Sequence, residues 1–195
     1  MLATVGAWGG VLLVAAVVGL ASGMSEPLVD SYRRSLRRLT PVATSREDRT
    51  AFTLVRFESE HPVAVAVPGR RPEILVSSAL EQALTPAQLR AVLAHEYAHL
   101  TGRHGLLVRL AELNASCLPR FVPAGTGLRR ATVMLVELVA DDVAARQAGS
   151  AQVAVALERL AQVSGEAGFL VRAERLRALP AAGVVGVGLP EPVRV

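Results

Sequence analysis

The residues with the most chemistry in this chain lie in one run, Ala91-Val92-Leu93-Ala94-His95-Glu96-Tyr97-Ala98-His99-Leu100. Four positions on a helix make slightly more than one turn. His95 and His99 would therefore project from one face, one above the other, where two imidazoles can share a metal ion. Glu96 stands beside that face, placed to take a proton from a metal-bound water and not to hold the metal. Alone, H-E-x-x-H also fits a surface helix with two solvated histidines. The flanks argue otherwise. Leu84-Thr85-Pro86-Ala87-Gln88-Leu89 reads as a complete helix start, with Thr85 as N-cap, Pro86 at the first helical position, Gln88 closing a capping box, and a Leu84–Leu89 staple. Leu89, Val92, Leu93 and Leu100 make the helix apolar around the histidines. Burying His, Glu and His without polar partners is costly, and a bound metal removes that cost.

A catalytic zinc site takes three protein ligands and keeps a fourth position open. Two residues compete for the third place. His104 follows Gly102, which sits where an extended H-E-x-x-H-x-x-G-x-x-H pattern has its glycine, but that pattern needs His at 105, where this chain has Gly. Glu137 stands in the apolar run Ala131-Thr132-Val133-Met134-Leu135-Val136-Glu137-Leu138-Val139-Ala140. An ionised carboxylate there needs a partner, and a cation provides one. Glu137 is the favoured candidate. Asp141, four residues on and on the same face, is placed to accept a hydrogen bond from the outer nitrogen of a ligand histidine. The adjacent Asp142 reads as a surface residue.

The elements that must hold these residues follow from the pattern of the chain. Before the helix, Phe52 to Phe57 and Val63 to Val67 alternate, and Glu73 to Ser77 follows the turn Pro68-Gly69-Arg70-Arg71-Pro72, which predicts a small antiparallel sheet. Val63 to Val67 is a candidate edge strand for holding an extended peptide, or simply a half-buried strand. Ser78-Ala79-Leu80-Glu81 reads as a second capping box opening a short helix. After Gly102 come an apolar helix beginning at Leu106, a longer one from Gly127 to Ala148 closed by Gly149, and a fourth capped by Ser150. In the fourth, Val153, Leu157, Leu160 and Val163 keep the helical period. His61, before a proline, reads as solvent-facing.

The N-terminus is different. Met1 to Ala21 carries no charged side chain and has the length of a membrane span. A signal peptide is the competing reading, but there is no basic n-region. Arg33, Arg34, Arg37 and Arg38 follow, within an amphipathic stretch from Glu26 to Leu39, which places that side in the cytoplasm. Pro41 to Thr50 reads as a polar linker. The formal charge of +4 rests on 21 basic residues, all of them Arg, against 17 acidic ones, and aromatic residues make up only 4%. So few rings to stack on bases give no reason to expect nucleic acid as a partner, despite a pI near 10.4. One cysteine, Cys117, excludes an internal disulfide and a cysteine-only zinc site.

Three segments together carry a family resemblance. Ile74-Leu75-Val76-Ser77-Ser78-Ala79-Leu80, then Leu84 to Glu96, then Glu137-Leu138-Val139-Ala140-Asp141 resemble membrane-bound gluzincin peptidases, including the HtpX-like and prenyl-protein proteases. Pro68-Gly69-Arg70 and the short interval between the two motifs bring the chain nearest to the BlaR/MecR-type antirepressor peptidases. The resemblance covers about Phe52 to Leu179. It implies His95, His99 and Glu137 as zinc ligands, Glu96 as general base and Asp141 behind a ligand. It assigns no ligand role to His104. Such peptidases usually have several transmembrane helices, and this chain has one clear candidate. The S-x-x-K acylation site of the β-lactam receptors is impossible in a chain without Lys.

The expected architecture is α+β and mainly helical: a small antiparallel sheet on a zincin-type helical core, preceded by one transmembrane helix. The expected divisions are a span at 1–21, a basic juxtamembrane helix and linker at 22–50, a zinc metallopeptidase domain at 51–179 and a tail at 180–195. The expected activity is that of a single-pass, membrane-anchored Zn2+ endopeptidase acting in the cytoplasm on a protein or peptide, a transcriptional repressor or regulator being the candidate substrate. Two alternatives stand beside it. One is a non-catalytic metal-binding regulator; the other is a basic membrane-surface or nucleic-acid adaptor built on Arg33 to Arg38.

Overall fold

The computed structural model describes residues 43–117 and 123–178. Strands β1 (Ala43–Asp48), β2 (Thr53–Phe57), β3 (Ala64–Val67) and β4 (Glu73–Ser77) come first. Helices α1 (Ser78–Ala83), α2 (Pro86–Thr101), α3 (His104–Cys117), α4 (Pro123–Ala148), α5 (Ser150–Ser164) and α6 (Ala167–Ala178) follow. The proposed span at 1–21, the basic helix at 26–39 and the tail at 180–195 lie outside the described residues. Among the described residues no helix is long and apolar enough to cross a membrane.

The sheet has the order β1-β2-β4-β3. β1 and β3 run antiparallel to their neighbours, but β2 and β4 are parallel, with Leu54 opposite Ile74 and Val55 opposite Leu75. The sheet is thus mixed, which corrects the antiparallel expectation. The chain reverses after β2 and again at Pro68 to Pro72, yet β4 takes the inner place and pushes β3 to the edge. Period-two alternation reports which face of a strand is buried, not which strand lies beside it. Burial reports the difference: all five residues of β4 are buried, whereas β3 is mostly half-exposed.

The expected linker from Pro41 to Thr50 is also corrected, because residues 43–48 form an edge strand. β1 has exposed charged side chains and no apolar alternation. Cross-strand ion pairs hold it instead, Arg46 to Glu73 at 3.2 Å and Glu47 to Arg56 at 3.1 Å. Hydrophobic periodicity carries no signal for such a strand.

β4 runs straight into α1. The cap there is Ser77, not Ser78: its Oγ accepts from Leu80 N–H at 3.2 Å and from Val63 N–H at 2.8 Å. Glu81, the expected partner of a Ser78 box, pairs with Arg56 at 2.7 Å. α2 begins as its sequence dictates. Thr85 N–H donates to Gln88 Oε1 at 2.9 Å, and Gln88 N–H donates to Thr85 Oγ1 at 3.4 Å. One helix face is then fixed by packing. Leu89, Val92 and Leu93 share a core with Phe52, Leu54, Ile74 and Val76 of the sheet side and with Val153 and Leu157 of α5.

α4 starts at Pro123, four residues before the expected Gly127, and lies along α2. Ala94 and Ala98 of α2 and Ala140 and Ala144 of α4 are all buried, and such small residues let two helix backbones approach. Gly149, with φ of 88°, ends α4 and serves as N-cap of α5 in place of the expected Ser150. A left-handed Gly165 (φ 75°) turns the chain into α6, a helix not expected from the sequence. Its buried anchors are only Ala173 and Leu176, and the charged residues around them hide its period.

Candidate metal centre and active site

His95 and His99, one turn apart on α2, bring their Nε2 atoms to 3.0 Å, with ring planes at 75°. Glu137 reaches across from α4. Its Oε2 lies 3.4 Å from His95 Nε2 and its Oε1 lies 3.5 Å from His99 Nε2. Tetrahedral zinc with bonds of about 2.0–2.1 Å wants donors about 3.3 Å apart. The two imidazoles and the carboxylate therefore fit the ion in donor type and in spacing. Among the described residues, no other trio of His, Cys, Asp and Glu converges in this way.

Behind the trio stands a layer of charge. Asp141, one turn beyond Glu137 on α4, is fully buried, and its Oδ1 lies 3.0 Å from His95 Nδ1. The contact is close enough for charge assistance, although its hydrogen-bond alignment is poor. Arg172 of α6 grips the same carboxylate from the other side. Its Nε donates to Asp141 Oδ2 at 2.7 Å and its Nη2 to Oδ1 at 2.6 Å. The remaining nitrogen, Nη1, lies 2.8 Å from Glu137 Oε2. One planar guanidinium thus ties together the third candidate ligand and the partner of the first.

These charges set the protonation of the centre. Burial opposes a charged His95, but the Asp141 and Glu137 carboxylates outweigh it and push its pKa up to about 9. Burial and then the positive His95 push His99 down to about 4, so it is neutral near pH 7. Burial works to raise both carboxylates. His95 and Arg172 nevertheless hold Glu137 low, and Arg172 and His95 do the same for Asp141. Without a metal, the proton on His95 and the charge of Arg172 balance two carboxylates. A divalent cation at the trio would take over the proton's part.

Glu96 faces the sheet. Its Oε2 accepts from the Ala66 N–H of β3 at 2.9 Å. Burial pushes its pKa up to about 7, against the pull of His95. A carboxyl group balanced near neutrality can both accept and return a proton. The N–H that holds it lies on the edge strand, so the base and the open side of the sheet are directly linked.

The structure therefore brings His95, His99 and Glu137 together and sets Glu96 and Asp141 beside them. His104 is not in the trio; its Nδ1 meets His99 Nδ1 at 3.0 Å, on the far side of that ring. Burial lowers the His104 pKa as well. Tyr97 turns away and packs on Phe52, ring centroids 5.8 Å apart. Asp142 pairs with Arg175 at 2.8 Å, and His61 is exposed. Two participants are not expected from the sequence, Arg172 and the Ala66 N–H. For Arg172 a signal exists: Phe169 and Leu176 flank it at helical spacing, placing the arginine toward the protein, and its guanidinium lies 5.7 Å from the Phe169 ring centroid. A backbone N–H leaves no trace in residue types.

Comparison with known proteins agrees with this chemistry. Residues 29–167 match Peptidase family M48. A plastoglobule-localized metallopeptidase 48, chloroplastic, from Arabidopsis thaliana is 42% identical over 60 residues. The match covers 29% of this chain and spans only 17% of that relative's length.

Proposed function

The chain belongs to peptidase family M48, and on that premise we propose that it is a zinc metalloendopeptidase that hydrolyses peptide bonds in a protein substrate. The observation that carries the reading is the convergence of His95 Nε2, His99 Nε2 and the Glu137 carboxylate from two helices. These three would hold the ion, with Asp141 keeping His95 turned towards it. Zinc bound there supplies Lewis acidity, polarising the scissile carbonyl and acidifying water. Glu96 accepts the proton of the attacking water and delivers it to the leaving amine. Arg172 keeps the Glu137 and Asp141 carboxylates ionised and in place. The substrate lies extended along the open edge of β3, adding a strand beside Ala64 to Val67. On that edge the Ala66 N–H is taken by Glu96, which sets the base beside the path of such a peptide.

Pro68-Gly69-Arg70 and the short interval between the two motifs resemble the antirepressor peptidases, which favours a transcriptional repressor or regulator as substrate. The uncharged run at 1–21 supports a membrane anchor, and the arginines at 33, 34, 37 and 38 support a cytoplasmic peptidase domain. The test is a casein-cleavage assay on the purified full-length protein. Chelator abolishes cleavage and added Zn2+ restores it. Glu96→Gln keeps its zinc and loses at least about 100-fold in turnover. Wild-type turnover by the zinc-loaded Glu96→Gln protein would remove Glu96 from the mechanism.

A further inference from the structure

A histidine that binds metal through Nε2 must be fixed by whatever its Nδ1 meets, because that contact sets both the tautomer and the tilt of the ring. His95 has Asp141 for this purpose. His99 has His104. The two Nδ1 atoms stand 3.0 Å apart, and the rings are nearly perpendicular at 88°. His104 is 5% exposed, one of the few buried polar residues among those described. If His99 offers its Nε2 lone pair to the ion, its proton sits on Nδ1, and only an unprotonated Nδ1 on His104 can accept it.

The chain is shaped to put that ring there. α2 ends at Gly102, whose N–H donates to Ala98 O at 2.9 Å. Arg103 then takes a left-handed φ of 49°, a strained conformation for a residue with a side chain, and α3 begins with His104 folded back over the end of α2. Gly102 itself has an ordinary φ of −77°, so its backbone does not call for glycine. Space does. A Cβ at position 102 would lie 2.3 Å from His104 Nε2 and 2.6 Å from His104 Cδ2. Any larger residue drives the ring off its seat, and the ring cannot shift without leaving His99.

We propose that His104 is a positioning residue for His99, accepting a hydrogen bond from its Nδ1–H, and that position 102 is glycine to make room for the His104 ring. The inference rests on the reading of His99 as a metal ligand. In the His104→Asn variant, the side-chain oxygen falls where the ring's Nδ1 was. His104→Phe keeps the ring shape without an acceptor. Gly102→Ala leaves His104 in the chain and displaces it.

The experiment measures Zn2+ affinity of the full-length protein by competition with a chromophoric chelator, alongside thermal unfolding. His104→Phe and Gly102→Ala each weaken Zn2+ binding by about 10-fold or more, and His104→Asn stays within about threefold of wild type. If His104→Asn loses as much as His104→Phe, His104 acts by filling space and the hydrogen-bonding role is wrong. If folded His104→Phe and Gly102→Ala both bind like wild type while His99→Ala does not bind, the inference falls and the metal site stands. Should His104→Phe fail to fold, Gly102→Ala against His104→Asn decides in the same way. Undiminished Zn2+ binding by His99→Ala overturns the metal site itself.

Discussion

Titrating Zn2+ into the metal-free protein at pH 7 should expel a proton, and the proton should come from His95. Its pKa is pushed up to about 9, because Asp141 and Glu137 favour the charged ring more strongly than burial opposes it. The ion needs the Nε2 lone pair, so binding below pH 9 must first remove that proton. Two pH units separate 7 from 9, and each is worth about 1.4 kcal/mol, so the proton costs zinc about 3 kcal/mol at neutrality, a factor of about 100 in apparent affinity. The apparent dissociation constant should therefore fall about tenfold per unit from pH 7 to 9 and then level off. Isothermal titration calorimetry in buffers of different ionisation enthalpy counts the protons directly. About one should leave per Zn2+ at pH 7.5. Asp141→Asn removes the group that does most to hold the proton, and its proton release at that pH should shrink even though its zinc affinity is poorer. A wild-type protein that releases no proton, with affinity flat from pH 7 to 9, would refute the electrostatic account of the centre.

Three further outcomes follow from the same contacts. The raised pKa of His95 stabilises the metal-free fold fully below its unfolded value of 6.5, and this stabilisation is lost as pH rises through about 9. Urea unfolding in chelator should thus show stability dropping by about 3 kcal/mol between pH 6.5 and 9.5, and Zn2+ should abolish that dependence. Arg172→Ala strands the fully buried Asp141 beside Glu137, and chemical denaturation should record a loss of about 3 kcal/mol, the usual cost of removing one partner from a buried ion pair. Ala66→Pro deletes the N–H that holds Glu96 on an edge strand, where proline takes no ladder bond. It should keep Zn2+ stoichiometry and the fold by circular dichroism while lowering peptide cleavage at least about tenfold.

Residue order alone determines whatever lies within one element. Thr85 and Gln88 close a capping box because they are three apart, and His95 and His99 share a face because they are four apart. Glu137 is conspicuous because its neighbours are apolar, and Asp141 follows one turn later. What residue order leaves open is every neighbour supplied by another element. Arg172 grips Asp141 across 31 positions and Ala66 reaches Glu96 across 30. β4 pairs with β2 in parallel because the chain places it inside β3, an outcome that alternation within each strand does not encode. His104, one residue from the position an extended motif demands, acquires its place only because Gly102 and Arg103 bend the chain back onto α2. Helical geometry repeats every few residues and can be read from spacing, whereas the choice of which faces meet is made by packing of the whole core and by the charges that burial forces into contact.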